Sequence, residues 1–176
     1  MLSIQELRAL ASRLTLAAFE QQMGPFALIQ RPPQPLQAHA LEQASRRTTL
    51  KKRSDAESAL TLILEFENLV VVSLPPVRPV DEFIVGRLPD CDVVVDDPSV
   101  SKRHAQLTWD ARERRCTVRD LGSRNGTYVD EFELGDKDAQ LRDGDVLSFG
   151  DADFWFLLTA TLHEKIVKHD SSVRAG

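Results

Sequence analysis

The sequence is poor in cysteine and lacks a long apolar run. Its 176 residues include only two cysteines, Cys91 and Cys116. Two widely spaced cysteines are too few for a disulfide framework or a four-ligand zinc site, so we interpret both as buried thiols. No apolar run approaches the ~18 residues that a membrane-spanning helix requires. We therefore expect neither a disulfide-stabilised domain nor a membrane protein.

Secretory features and a general basic surface are also missing. The first twenty residues lack the charged head, apolar middle and cleavage site of a secretory signal, so we expect a cytoplasmic protein. The net charge of −5 is uneven: residues 1–60 hold eight Lys/Arg and five Asp/Glu, giving +3, whereas residues 61–176 hold fourteen and twenty-two, giving −8. Because binding to nucleic acid or anionic lipid requires a basic face, we expect no nucleic acid and no membrane partner.

Residues 1–24 have the pattern of one amphipathic helix. Apolar residues recur with a 3.6-residue period from Ile4 to Met23. Ser3 and Glu6 form a capping box at the start, and Gly24-Pro25 is a typical helix stop. The apolar stripe could dock a partner or a second copy, or it could pack on its own domain; the pattern leaves both open.

Residues 25–60 are predicted to be a Pro-rich and basic linker, partly helical or mobile. Prolines favour a stiff, extended connector near its start. The later basic run from Arg46 to Arg53 has three interpretations: a solvated linker, an arm for nucleic acid or membrane, or a kinase substrate site. In the third, Thr48 and Thr49 are candidate phosphosites, because they lie between basic residues.

From residue 61 the pattern changes to short strands. Apolar and β-branched runs of four to six residues, separated by Gly, Asp and Asn turns, continue to about residue 162. This spacing predicts an all-β domain, an antiparallel β-sandwich, over residues 61–162. The polar residues 163–176 are predicted to be a flexible tail.

Three clusters of anion-binding side chains lie at the edges of these strands. They are Gly86-Arg87, then Ser101-Lys102-Arg103-His104, then Ser123-Arg124-Asn125-Gly126. Guanidinium, ammonium and hydroxyl groups are the donors that a phosphate accepts most readily, and an amide can hold a peptide backbone. Together the clusters predict a phosphate-binding site.

The order Gly-Arg, Ser-x-x-His, Asn-Gly among short strands resembles the forkhead-associated (FHA) domain family, over about residues 62–162. The resemblance implies an FHA/SMAD-like β-sandwich that binds phosphothreonine peptides through loops at one end. It also implies phosphothreonine-containing proteins and a Ser/Thr protein kinase as partners. The expected function is that of a phosphothreonine-binding adaptor in kinase signalling, regulated through phosphorylation of its own Thr48 or Thr49.

The resemblance also assigns roles to residues. Arg87 is the main charged partner of the phosphate, Ser101 donates its hydroxyl to the same phosphate, and Asn125 bonds the peptide main chain. Further phosphopeptide contacts are expected from a second group of polar side chains, Lys102, Arg103, Ser123 and Arg124. Structural support of the site is expected from Gly86, His104 and Gly126.

Two further features of the sequence bear on peptide preference and on the type of one turn. The loop containing Asp97 hints at a basic or small residue three positions after the phosphothreonine. Asp130-Glu131 replaces a second Asn-Gly that many relatives have, which predicts a turn of another type.

Catalysis is the first competing hypothesis, since serines, His104 and Asp120 could form a triad. No nucleophile elbow, metal-binding pair or Walker loop is present, so we expect no enzyme, no cofactor and no metal. The second is a scaffold or assembly protein whose N-terminal helix makes the main contact or drives self-association, with phosphate binding secondary.

Overall fold

The computed structural model describes residues 2–31, 70–73 and 80–174. In these ranges the helices are α1 (Ile4–Ala11), α2 (Leu16–Met23) and α3 (Thr159–Arg174). The strands are β1 (Leu2–Ser3), β2 (Phe26–Gln30), β3 (Val70–Ser73), β4 (Val80–Gly86), β5 (Val93–Val94), β6 (Ala105–Asp110), β7 (Arg115–Asp120), β8 (Thr127–Val129), β9 (Phe132–Glu133), β10 (Ala139–Leu141), β11 (Val146–Phe149) and β12 (Ala152–Leu158). None of the described helices is both long and apolar enough to cross a bilayer.

The strands form two sheets. The first has the order β1-β3-β2-β12-β11-β8-β9, and the second has the order β10-β7-β6-β4-β5. Neighbouring strands are antiparallel, apart from the short parallel pair of β4 and β5. The predicted β-sandwich with an N-terminal helical extension is confirmed.

The main core lies between the sheets. Along β6, buried and partly exposed residues alternate, as expected for a strand with one face on the core. Phe26, Phe149, Phe156 and Leu107 are completely buried in this core. Both cysteines are also buried free thiols, and burial raises the pKa of Cys116 to about 12.

A second core lies on the outer face of the first sheet. There the three helices cover the sheet, and Leu7, Phe19, Leu162 and Ile166 are buried against strand residues such as Trp155. Strand β12 carries a run of four buried residues because this sheet is covered on both faces. The apolar stripe of the N-terminal segment therefore packs on its own domain.

The single helix predicted from Ser3 to Met23 is wrong in its continuity. The chain forms two helices, and α2 begins after Thr15, whose side-chain oxygen accepts a hydrogen bond from Ala18 N. A hydroxyl residue in extended conformation favours a new helix start, because it satisfies a backbone N–H that lacks a helical partner. Gly24, with φ of 80°, follows the end of α2.

The prediction of a linker from residue 25 is also wrong at its start. Phe26–Gln30 form β2, which pairs with β12 on one side and β3 on the other. Four consecutive buried apolar residues are typical of a strand that is covered on both faces, and the flanking prolines concealed that pattern. The domain therefore includes residues well before 61. The rest of the predicted linker, with Thr48 and Thr49, and residues 61–69 at the start of the predicted β-sandwich lie outside the described residues.

The predicted flexible tail is helical instead. Helix α3 runs from Thr159 to Arg174, and Leu162 and Ile166, four positions apart, bury their side chains. His163 Nε2 lies 3.0 Å from the carbonyl oxygen of Leu14, which ties α3 to the N-terminal segment. Leu162 and Ile166 lie on one helical face, and that face packs on the sheet.

The Asp130-Glu131 turn differs from its prediction as well. Val129 pairs with Phe132, so the loop has two residues, and their φ angles of 49° and 72° are both positive. Positive φ at both central residues defines the type I′ hairpin turn that Asn-Gly favours. Asp130 Oδ1 accepts a hydrogen bond from Val146 N at 2.9 Å, which helps to hold this conformation.

Candidate anion-binding site

The loop after β4 lies directly against the loop before β6. Arg87 N donates to Ser101 O at 3.0 Å, and Leu88 N donates to Lys102 O at 3.2 Å. A Cβ on Gly86 would lie 2.3 Å from Lys102 O, so a side chain at this position would push the loops apart. Gly86 thus permits the close approach of the two loops.

Arg87 is exposed but partly fixed. Its Nε donates to Val100 O at 3.3 Å, which leaves the terminal nitrogens of the guanidinium for a ligand. A guanidinium held through one nitrogen loses less freedom on binding than an unrestrained lysine would. The structure thus places Arg87 at the rim of the loops with its charge available.

His104 joins the loop before β6 to the loop before β8. Its Nδ1 accepts a hydrogen bond from Ser101 N at 3.0 Å, so the ring proton is on Nε2, which donates to Gly126 O at 3.0 Å. The side chain is fully buried, with its ring edge on Phe149. Burial lowers the pKa of His104, against the opposing effects of the Gly126 carbonyl and the Asp120 charge. A neutral, buried imidazole with both nitrogens occupied braces the site.

Ser101 and Arg124 connect the same two loops at the surface. Ser101 Oγ accepts a hydrogen bond from Arg124 N at 2.9 Å. The hydroxyl keeps its own proton for a further acceptor, since a serine hydroxyl both donates and accepts. The side chains of Lys102 and Arg124 are exposed beside it.

Asp120, which the sequence suggested only as a member of a catalytic triad, organises the loop before β8. Its carboxylate accepts from Gly122 N, Ser123 N, Ser123 Oγ and Thr127 Oγ1, at 2.6 to 2.9 Å. Partial burial raises the pKa of Asp120, but the hydrogen bonds from Thr127, Ser123 and Gly122 outweigh it and leave the pKa below its usual value. An aspartate two or three residues before a Gly-Ser pair is an Asx-turn signal that could have identified this role.

Ser123 has a different role from the predicted phosphate contact. Its Oγ donates to Asp120 Oδ1 at 2.7 Å and accepts from Gly126 N at 3.0 Å. The hydroxyl proton is therefore used within the loop, and Ser123 supports the site instead of facing the ligand.

Asn125 and Gly126 complete this loop. Asn125 is exposed, and its Nδ2 donates to Ser99 O at 2.7 Å. Its side-chain oxygen and second amide proton are left for a peptide backbone. Gly126 has φ of 79°, and a Cβ there would lie 3.0 Å from Glu133 Oε1, so glycine suits the position on both counts.

Arg103 forms an ion pair with Asp90. Its guanidinium donates to Asp90 Oδ2 at 2.6 Å, and both side chains are exposed. The structure thus brings Arg87, Ser101, Arg124 and Asn125 together with Lys102 through bonded loops, whereas the charge of Arg103 is offset by an acid.

Taken together, these features define a class of protein: a β-sandwich that presents a guanidinium, a hydroxyl and an amide from neighbouring loops, as a binding module for a phosphorylated ligand does. Residues 83–150 match the model of the FHA domain. The resemblance to the FHA domain family is confirmed for this part of the chain.

Known proteins similar to this chain come from distant organisms. The human Mediator of DNA damage checkpoint protein 1 is 46% identical over 46 residues, which cover 26% of this chain and 2% of that protein. The glycogen accumulation regulator GarA of Mycobacterium tuberculosis is 42% identical over 65 residues, which cover 37% of this chain and 38% of GarA. The FhaA FHA domain, solved in complex with the intracellular domain of Rv3910, is 30% identical; the match covers 49% of this chain and 87% of that one, with a TM-score of 0.43. The chain thus spans well under half the length of these two curated relatives.

Proposed function

We propose that this protein is a phosphothreonine-binding adaptor, acting by recognition without catalysis. The observation that carries the proposal is the bonded pair of loops, in which Ser101 accepts from Arg124 N while keeping its own proton, and Arg87 is tied to the same serine through its backbone. A phosphothreonine presents three acceptor oxygens and up to two negative charges, which a hydroxyl and a guanidinium match. Asn125 would hold the peptide main chain and so fix its register.

The expected affinity is moderate. Each hydrogen bond to a charged group contributes about 1.5–3 kcal/mol. Three or four such bonds, less the cost of ordering a flexible peptide, correspond to a Kd near ~1 μM. Such affinity suits a reversible adaptor in Ser/Thr kinase signalling, for which we propose a cytoplasmic location.

Calorimetry with an oriented phosphothreonine peptide library tests this function. We expect binding to phosphothreonine peptides, none to the unphosphorylated forms, and a loss of at least tenfold in Arg87→Ala and in Ser101→Ala. Arg115→Ala is the matched control, because Arg115 is an exposed arginine at the opposite end of β7 from the candidate site. If the affinity for phosphopeptides is the same in Arg87→Ala and in Arg115→Ala, the proposal is contradicted.

We also propose self-regulation through Thr48 or Thr49, and the course of the sheet favours it. The turn between β11 and β12 lies at the site, because Gly150 N donates to Gly126 O and Asp151 N donates to Ser99 Oγ. Strand β2 ends at this same edge, since Gln30 pairs with Phe154 and Arg31 N donates to Asp153 O. Strand β3 is antiparallel to β2 and so begins there. The segment between them, which contains both threonines, therefore leaves and re-enters the sheet at the candidate site's end of the sandwich.

Distance does not oppose this regulation. Thr48 is 17 residues beyond Arg31 in the sequence, and an extended chain spans up to ~3.3–3.6 Å per residue. After treatment with a Ser/Thr kinase, we expect weaker binding of an added phosphopeptide, because a tethered phosphothreonine competes at high effective concentration. A variant with Thr48→Ala and Thr49→Ala should keep full binding after the same treatment. Equal binding of the phosphopeptide by kinase-treated wild type and by the kinase-treated variant would contradict self-regulation.

The scaffold hypothesis has less support. It required an exposed apolar stripe on the N-terminal segment, whereas Leu7, Phe19 and Met23 of that segment are buried. A pull-down with Arg87→Ala separates the two functions: an adaptor loses its partners, and a helix-driven scaffold keeps them.

A further inference from the structure

The first sheet ends in a short strand with an open edge and an exposed aromatic ring. Strand β9 is last in the order of that sheet, and within the described residues only β8 pairs with it. Phe132 of β9 is 78% exposed, more than any other large apolar side chain in the described part of the chain. The unpaired backbone groups of an edge strand are a template for a further segment of chain, and an exposed ring beside them adds apolar contact area.

Phe132 belongs to the face of the sheet that carries the main core, but it lies beyond the rim of that core. It is directly opposite Val129, and directly opposite residues of antiparallel strands share a face. Val129 and Leu134 are partly buried and pack against the main core, whereas Phe132 is left uncovered. The open edge of β9 is therefore an apolar strip whose outermost member has no cover in the described structure.

The surroundings of this strip are acidic. Residues 130–137 contain four acids and one base, a net charge of −3. Glu131, Glu133 and Asp136 are exposed, and none of the three makes an ion pair with a described residue. Pairing of this edge with a second copy of itself would bring like charges together, which is unfavourable. An apolar side chain between basic residues would match both the ring and the acids.

The chain contains a segment of this chemistry in residues 46–53. The run has five bases and no acid, and Leu50 lies near its centre. Its charge of +5 is complementary to the charge of −3 around Phe132. Neither the β-sandwich nor the candidate anion-binding site accounts for this composition.

The sheet brings the start of the connecting segment close to the β9 edge. Gln30, at the end of β2, stands in one cross-strand row with Phe132, through the pairs formed by Phe154, Leu147 and Val129. Four strand spacings separate the two ends of this row, about 19 Å at about 4.8 Å each. The 16 residues from Gln30 to Arg46 can span about 50 Å. The basic run can therefore reach the β9 edge of its own molecule.

We propose that residues 46–53 of the unphosphorylated chain dock on the β9 edge, with Leu50 against Phe132 and the flanking bases against Glu131 and Glu133. This docking goes beyond the proposed phosphothreonine binding and does not depend on it. A Kd of about 0.25 mM would suffice, because a tethered segment has an effective concentration of about 1 mM and would then be docked about four fifths of the time. The charge pairs are exposed, so the docking should weaken as salt rises.

Limited digestion of the full chain with trypsin tests the docking, because trypsin cleaves after the lysines and arginines of the run. A free peptide of residues 44–55 is the unprotected reference. At low salt we expect cleavage within the run to be about fivefold slower in the protein than in the peptide, as the expected occupancy requires. This protection should fall at least twofold in Phe132→Ser and in the double variant with Glu131→Gln and Glu133→Gln.

Each variant has a matched control. Leu16→Ser removes another exposed apolar side chain, and the double variant with Glu82→Gln and Glu113→Gln removes the same charge from exposed positions outside β9. Both controls should keep full protection, and urea denaturation should show that all variants are folded.

Cleavage of the wild-type protein at the rate of the free peptide would overturn the docking, and so would equal protection in Phe132→Ser and Leu16→Ser. Protection that appears only at high protein concentration would assign the run to the edge of a second copy and overturn docking within one chain. Phosphothreonine binding is measured separately by calorimetry, so either proposal can fail while the other stands.

Discussion

The layer of three helices on the first sheet and the loops of the candidate site are held together by different interactions. The helical layer is held by apolar burial, with Leu7, Phe19 and Leu162 completely removed from water. The candidate site is held by directed hydrogen bonds, centred on Asp120 and His104. Apolar burial is non-directional and tolerates small shifts, whereas a hydrogen-bond network fixes atoms within tenths of an ångström. We therefore expect the layer to determine stability and the network to determine binding.

Phe19→Ala should separate stability from peptide binding most strongly. Loss of a fully buried phenylalanine costs about 3–5 kcal/mol, from lost burial and from the cavity that remains. Urea denaturation should show this loss, while peptide affinity at low denaturant stays within twofold because Phe19 lies in the second core. Leu16→Ala on the same helix is the control, because Leu16 is 41% exposed and should cost far less. A large fall in affinity of folded Phe19→Ala would show that the two regions are coupled.

Asp120→Ala should affect both properties. The change leaves the buried Thr127 hydroxyl and the Ser123 hydroxyl without their shared acceptor, a cost of about 1–3 kcal/mol for each unsatisfied group. The loop that carries Arg124 and Asn125 then loses its shape, and phosphopeptide affinity should fall by at least tenfold. Asp138→Ala removes an exposed carboxylate that pairs with Arg119 on the surface, and it serves as the control. If Asp120→Ala lowers stability but leaves affinity unchanged, the network does not position the site.

The glycines of the candidate loops can be explained from the local sequence, whereas strand β2 cannot, and the reason is physical. Gly86 and Gly126 are required locally, by a close backbone approach and a positive φ, so their signal lies in a few neighbouring residues. Strand β2 depends on partners far away in the chain, β12 and β3, and a five-residue apolar run between prolines does not reveal them. Asp120 was missed as a loop organiser because its partners are backbone N–H groups and hydroxyls, which carry no charge, and the only local signal is the Gly-Ser pair that follows it.

His104 gives the network a dependence on pH. Its pKa is lowered in the folded protein by burial, so the unfolded chain binds a proton more readily. Stability from the neutral ring should be complete above about pH 6.5 and should decrease as pH falls from there through the lower folded pKa. Thermal unfolding of the free protein between about pH 5 and 7.5 measures this effect; peptide binding does not isolate it, because phosphate also titrates near pH 6.

His104→Gln is the comparison for that experiment. Glutamine cannot accept a proton in this range, so the variant should be less stable at neutral pH and flatter in its pH dependence. An unchanged slope would assign the titration to another group. The carboxylates with lowered pKa, Asp97, Asp120, Asp138 and Glu164, lose their contribution at lower pH and do not interfere.

The smallest expected effect concerns an ion pair between the helical layer and the second sheet. Arg114, in the turn between β6 and β7, donates to Glu20 Oε1 of α2 at 3.1 Å, and its backbone has φ of 49°. Left-handed backbone costs a non-glycine residue about 1–2 kcal/mol, whereas an exposed ion pair contributes about 0.2–1 kcal/mol. Arg114→Gly should therefore leave stability unchanged or raise it by up to about 1 kcal/mol. Arg114→Gln keeps the strain and loses the pair, so it should be slightly less stable than wild type in urea denaturation. If Arg114→Gly is less stable than wild type, the loss of the ion pair outweighs the relief of strain, and polar contacts hold the helical layer more firmly than its apolar core suggests.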